Sequence, residues 1–182
     1  IKTVVRRNAG KMQRGDVYVL NDPYNGGTHL PDVTVVTPVF ADTGEEILFY
    51  VGSRGHHADI GGITPGSMPP FSTTVEDEGV LLDNVKLVEN GVMCEAEMRG
   101  RLTSAKYPAR NPDQNIADLR AQIAANEKGV QELGKIVAHF GLDVVSAYMR
   151  HVQDNAEESV RRIIGTLKDG SFAYEMDNGA VI

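Results

Sequence analysis

At Asn111 the hydrophobic period of the chain changes, and that change decides what it can fold into. Ile116, Leu119, Ile123, Val130, Leu133, Val137 and Phe140 follow at helical spacing, with one gap near Asn126. Residues three and four apart share one face of a helix, so the spacing predicts a long amphipathic helix. Asn111-Pro112-Asp113-Gln114 is its start, with Asn as N-cap, Pro in the first helical position and Gln three residues after the cap. Gly141 suits a left-handed C-terminal cap, and Asp143 suits the N-cap of a second helix. Val145, Tyr148, Val152, Ala156, Val160, Ile163 and Leu167 give that helix its own apolar stripe. Residues 111–168 therefore read as an antiparallel helical hairpin whose stripes need a surface to cover.

Before Asn111 the pattern is that of strands. "GDVYVLND" (15–22) is a short apolar run bounded by Gly and by Asn-Asp-Pro, which reads as a buried strand ending in a turn. "DVTVVTPVFA" (32–41) and "EEILFYVGSRG" (45–55) are two more strands, joined by "ADTG" as a hairpin loop. Asn90-Gly91 marks another hairpin. Residues 55–80 are rich in Gly, Pro, Ser and Thr and show little periodicity. They read as a long ordered loop, a kind that in compact domains usually serves function. The expected fold class is α+β. Residues 1–110 form a β-rich part, a mixed β-sheet with long functional loops. The helical hairpin follows, and residues 169–182 start a further β segment that is cut short. There Phe172, Tyr174 and Met176 alternate, and "NGAVI" resembles a turn leading into another strand. With Ile rather than Met at position 1, this predicts a fragment of a larger protein.

Composition narrows the function. The net charge is −7 and no basic stripe is present, which argues against nucleic acid as a partner. No apolar run approaches the roughly 20 residues of a membrane span, and no secretory leader opens the chain. The single cysteine, Cys94, cannot form an internal disulfide, which fits a reducing, cytoplasmic compartment. Cys94 itself, beside Met93, reads as a small buried apolar residue. His139 and His151 fall on the helices and read as structural, and the acidic residues at 76–78 as a solvated face.

Nearly all the chemically suggestive groups sit in two glycine-flanked loops. "NDPYNGGTHLPD" (21–32) holds Asp22, His29 and Asp32, and "RGHHADIGGITPGS" (54–67) holds Arg54, His56, His57 and Asp59. Imidazole and carboxylate are the usual ligands of Zn, Mn and Fe. His29 and Asp32 can converge on one ion from a bent loop, with His56 completing the set if the loops lie together. A bound ion would acidify a water and supply a nucleophile near neutral pH. The plainer reading is that these histidines only hydrogen-bond to backbone, because H-x-x-D is short and frequent. If the chain is extended at His56-His57, the two rings point in different directions, and one of them faces a given site. Gly26-Gly27 and Gly61-Gly62 leave two readings open, an N–H cradle for an anion or simple tight turns. Neither a P-loop lysine signature nor G-x-G-x-x-G occurs, so nucleotide binding is not assigned.

"GDVYVLNDPYNGGTHLPDVTVVTPVF", "RGHHADIGGITPGSMP" and "RNPDQNIADLRAQIAANEKG", in this order, resemble the hydantoinase B / 5-oxoprolinase family, which includes the alpha subunits of acetone and acetophenone carboxylases. With their connections the blocks cover most of residues 15–170. The resemblance implies part of a cytoplasmic, hetero-oligomeric, ATP-dependent enzyme. A hydantoinase A-type ATPase subunit or fused domain uses ATP to phosphorylate the substrate, and the B-type part opens the ring of a small cyclic amide. It also implies a divalent metal (Mn, Zn or Fe) on His29, Asp32 and His56, with a further acidic ligand from residues upstream of position 1. On this reading Asp59 orients a ligand histidine through its free N–H. His57, whose unperturbed pKa lies near 6.5, serves as proton shuttle. "HHADIGG" with "GGTHLPD" is closer to the hydantoinase and oxoprolinase branch than to the carboxylases. The alternatives are the alpha subunit of an ATP-dependent ketone carboxylase, or a non-catalytic scaffold that docks the ATPase subunit.

Overall fold

In the computed structural model, which describes residues 1–179, a short helix α1 (Lys2–Arg7) precedes strand β1 (Val17–Leu20). A 3-10 turn at Pro23–Asn25 leads to β2 (Asp32–Phe40) and β3 (Ile47–His56). The one-turn helix α2 (Val75–Glu78), β4 (Val85–Glu89) and β5 (Val92–Met93) come next, then helices α3 (Glu95–Ser104), α4 (Pro112–Phe140) and α5 (Leu142–Ile164). The strands form one five-stranded sheet in the order β3-β2-β1-β4-β5. All neighbouring pairs are antiparallel, which corrects the expectation of a mixed sheet. Parallel neighbours need a long crossover, usually helical. Here β2–β3 and β4–β5 are hairpins, and no long helix separates β1 from either of its partners.

The chain divides into two compact units, Ile1–Leu133 and Gly134 onward. In the first unit, strand alternation sorts side chains to the two faces of the sheet. Val17, Val19, Val33 and Val35 pack with Leu30, Ile60, Leu82, Leu87, Met98, Leu102, Ile116 and Leu119, contributed by the loops, β4, α3 and the start of α4. Tyr18, Leu20 and Val36 face the other way, where Val4 of α1 covers them. The central strand β1 is thus buried on both faces. Each such Val or Leu contributes about 1.5–3 kcal/mol through burial.

The local signals are realised where the backbone demands them. Asn90 and Gly91 both adopt positive φ, 49° and 83°, as a two-residue hairpin turn requires. Ala41 N–H donates to Glu46 O at 2.7 Å and closes the β2–β3 hairpin. Asn111 Oδ1 accepts the N–H of Gln114 at 3.3 Å, the N-cap contact expected at the start of α4. Gly141 departs from expectation: its φ is 85° but its ψ is 148°, so it is no left-handed cap. Its N–H closes α4 on Val137 O, while its carbonyl opens α5 by accepting from Val145 N–H. One residue serves both helices, so Asp143 falls in the first turn of α5 instead of at its N-cap.

The expected helical pair is present. Val145 is buried, whereas Tyr148, Val152, Val160, Ile163 and Leu167 are exposed. Within the second unit, Ile136, Phe140, Val144, Tyr148, Met149 and Val152 line an apolar groove of about 790 Å³. Where a further β segment is expected, the described residues after α5 hold an isolated bridge at Glu175 and no strand. Phe172, Tyr174 and Met176 are exposed and lie outside the five-stranded sheet. Residues 180–182, the end of the anticipated final strand, lie outside the described residues. No helix among the described residues is long and apolar enough to cross a membrane.

Candidate metal centre

The first loop owes its shape to Asn21, which is fully buried. Its amide nitrogen donates to Leu30 O and Val80 O, both at 2.9 Å, and its oxygen accepts the Leu82 N–H at 2.7 Å. Asp22 caps the 3-10 turn by accepting from Tyr24 N–H at 2.8 Å and from the Asn25 amide at 2.7 Å, which is turn chemistry. A Cβ on Gly27 would collide with the Asn21 carbonyl, so the loop closes only with glycine there. The loop ends in a tight turn in which Asp32 N–H donates to His29 O at 2.9 Å. That turn presents His29 and Asp32 together.

Strand register then brings in His56. Asp32, first in β2, pairs directly with His56, last in β3. His56 Nδ1 lies 2.9 Å from Asp32 Oδ1, and His29 Nδ1 lies 3.8 Å from Asp32 Oδ2. The two imidazoles stack with centroids 5.5 Å apart and planes inclined by 26°. One ligand atom from each of the three residues lies within 4.8 Å of the others. Bonds of about 2.0–2.2 Å to a single ion put ligand atoms roughly 3–4 Å apart, so this donor set fits a divalent cation with small side-chain adjustment. The hydrogen bond from His56 holds the Asp32 carboxyl below its usual range against the opposing effect of burial, and His29 and Arg54 add to the lowering. Asp32 is therefore an ionised acceptor. Arg54 is exposed, two residues before His56 and on the same face of β3.

His57 and Asp59 are placed otherwise than expected. His57 is 1% exposed and points into the core. Its Nε2 lies 3.3 Å from Gln122 Oε1, and its Nδ1 lies 3.0 Å from the Asn115 amide nitrogen. Burial pushes its pKa down, which keeps the ring neutral. The strand alternation that turns His56 outward turns His57 inward, which removes it as a proton shuttle at the surface cluster. Asp59 does not orient either cluster histidine. Its carboxylate accepts from the N–H groups of Gly61, Gly66 and Arg110 at 3.0–3.1 Å and from the Arg110 guanidinium at 2.7 Å. Burial pushes the Asp59 pKa up, but these donors together hold it below its ordinary value. Asp59 thus clamps the second loop.

The glycine pairs serve turns. Gly27 N–H donates to Asp22 O, Gly61 N–H to Asp59, and Gly62 N–H to Tyr107 O, so these donors are engaged within the protein. Sequence reasoning missed Asn115, Gln122 and Met68. The thioether of Met68, the residue just past the second loop, lies 2.7 Å from His29 Nε2. Nothing in "GSMPP" signals that approach. The gap in the α4 stripe near Asn126 was the one visible sign of a polar helix face.

A family profile described as hydantoinase B/oxoprolinase matches residues 1–182. The 5-oxoprolinase of Dictyostelium discoideum is 48% identical over 164 residues, which are 90% of this chain and 12% of that protein. The ATP-dependent caprolactamase from Pseudomonas jessenii superposes with a TM-score of 0.80 at 28% identity, over 98% of this chain and 31% of that one. A nucleotide-free acetone carboxylase structure shares the fold, with a TM-score of 0.63 at 23% identity, over 79% of this chain and 18% of that one. The chain spans only 12–31% of the length of these proteins, although the matches cover 79–98% of the chain itself. The matched profile and the 5-oxoprolinase identity carry one conclusion: the chain belongs to the hydantoinase B/oxoprolinase family.

Proposed function

We propose that the chain is the metal-bearing part of a cytoplasmic, ATP-dependent enzyme that opens cyclic amides, with His29, Asp32 and His56 holding a divalent Mn, Zn or Fe ion. The observation that carries this reading is the cluster itself: two imidazoles and an ionised carboxylate, brought together by the turn from His29 to Asp32 and by the Asp32–His56 register. Similarity to a 5-oxoprolinase and to a caprolactamase supports the substrate class. Amide resonance makes a lactam slow to hydrolyse, and phosphorylation of its oxygen by a hydantoinase A-type subunit or domain would create a better electrophile. A divalent ion supplies Lewis acidity and makes a water acidic enough to act near neutral pH.

This chain's own groups then hold and orient. Asp32 stays ionised and neutralises part of the ion's charge. His29 and His56 would hold the ion through ring nitrogens, and the His56 side chain, 60% exposed, leaves that edge of the cluster open. Arg54 adds positive charge beside the cluster, which favours an anionic, phosphorylated substrate.

The test is an assay of the full-length protein with its ATPase partner, ATP and 5-oxoproline, a hydantoin or caprolactam. ATP-coupled ring opening is the expected result. Bicarbonate-dependent ketone consumption would assign the carboxylase activity instead, and docking of the ATPase without turnover would make the chain a scaffold.

A further inference from the structure

The two ligand-bearing strand ends are joined from beneath by a side chain that never reaches the cluster. His57 N–H donates to Pro31 O at 2.8 Å, which ties the residue after His56 to the residue before Asp32. The His57 ring sits between two amides of α4. Asn115 donates to its Nδ1, and its Nε2–H donates to Gln122 Oε1. Both amides also grip the backbone near the ligands. Gln122 Nε2 donates to Val33 O at 3.0 Å and to Ser53 O at 3.4 Å. Asn115 Nδ2 donates to Asp59 O at 2.8 Å. Pro31 and Val33 flank Asp32, while Ser53 and Asp59 lie on either side of His56 along the chain. The fit is close: a Cβ on Gly55 would stand 3.0 Å from the Gln122 side chain.

We propose that His57, seated between Asn115 and Gln122, is a positioning residue that sets where His56 stands relative to Asp32 and His29. His56 is the last residue of β3, and strand ends fray unless something holds them. The ladder ends at the Asp32–His56 pair, and beyond it the His57 N–H bond to Pro31 O ties the two strand ends to each other but not to α4, so their height against α4 must be set by a side chain. The His57 ring supplies it, with one ring nitrogen accepting and the other donating. A hydrophobe in its place would fill the space without fixing the height of the strand end against α4. The inference rests on the reading of His29, Asp32 and His56 as a metal site.

The test measures Mn²⁺ affinity and thermal stability together in the full-length protein purified with its partner. His57→Gln and, separately, Gln122→Leu are expected to weaken Mn²⁺ binding by about 10–100-fold, the range typical of residues that orient ligands. Val88→Ala, in the core at β4 and far along the sheet from β3, is the control. It is expected to lower the melting temperature and leave Mn²⁺ affinity within twofold. If His57→Gln does not fold, Gln122→Leu decides the matter. Wild-type affinity in the folded variants overturns the inference, as does an equal loss in Val88→Ala, which would reveal general destabilisation. If the wild-type protein binds no Mn²⁺, the reading of the cluster fails first and this inference falls with it.

Discussion

Asp32 is the residue on which the candidate centre turns, because it touches both histidines and carries the negative charge that a cation needs. If the proposed activity holds, Asp32→Ala in the full-length protein is expected to abolish turnover and to reduce bound metal, read by metal analysis of the purified protein. Normal rate and normal metal content in that variant would remove the catalytic role of this loop. Asp59 makes a different prediction, about stability. It anchors three backbone N–H groups and Arg110, so Asp59→Ala is expected to destabilise by about 2–3 kcal/mol at pH 7, measured by urea unfolding. The exposed part of Arg110 adds little of this, because solvent screens it. Asp59 has a folded-state pKa below its ordinary value of 3.8. Its contribution is therefore present above that value and lost as pH falls through the lower, folded-state pKa. The gap between parent and variant should shrink below pH 3.8, and a constant gap would show that the carboxylate charge is not what matters.

At the level of elements, α4 shows where pattern reading stops. Its start at Asn111-Pro112 and its stripe through Ile116 and Leu119 were legible because caps and period are local. Its buried polar face was legible only as a gap. Asn126 Nδ2 donates to Val35 O and Thr37 Oγ1, both at 3.1 Å, across the interface with β2. Asn126→Leu would perfect the apolar stripe, yet it is expected to cost about 1–3 kcal/mol, because the Val35 carbonyl loses a buried donor. A stabilised variant in thermal unfolding would refute this. Gly91→Ala is a cleaner case. A Cβ there meets nothing within 4 Å, so a loss of about 1 kcal/mol would report the φ of 83° alone. The hairpins at Ala41–Gly44 and Asn90-Gly91 were legible for the same local reason. The sense of strand pairing was not, because β1 meets β4 across more than sixty intervening residues. That His29, Asp32 and His56 lie together was legible through residue type and family resemblance. The roles of His57 and Asp59 were misjudged, because they depend on which way each side chain faces and on which helix lies behind the strand.

For the whole molecule, the division at Leu133 separates two kinds of surface. Every residue of the candidate centre and of its support lies in the first unit. The second exposes Phe140, Val144, Tyr148 and Val152 around an apolar groove. A patch of that kind should bind a hydrophobic dye. A polypeptide of residues 1–182 is expected to enhance 8-anilinonaphthalene sulfonate fluorescence, and Tyr148→Glu with Val152→Glu to reduce it severalfold without changing the melting of the sheet. Unchanged fluorescence would place the bound dye elsewhere. Asn21 has a consequence of a different kind. Its side chain bonds to residues 30, 80 and 82, so the long excursions between them are closed when the protein folds. The entropy of closing those loops belongs to folding and not to capture of an ion. A cation arriving at the proposed centre would meet a turn whose conformational search is already over. Its association should follow a single exponential, with a rate proportional to ion concentration. Replacing Asn21 with Ala should introduce a slow second phase, as the turn carrying His29 is found anew with each binding event.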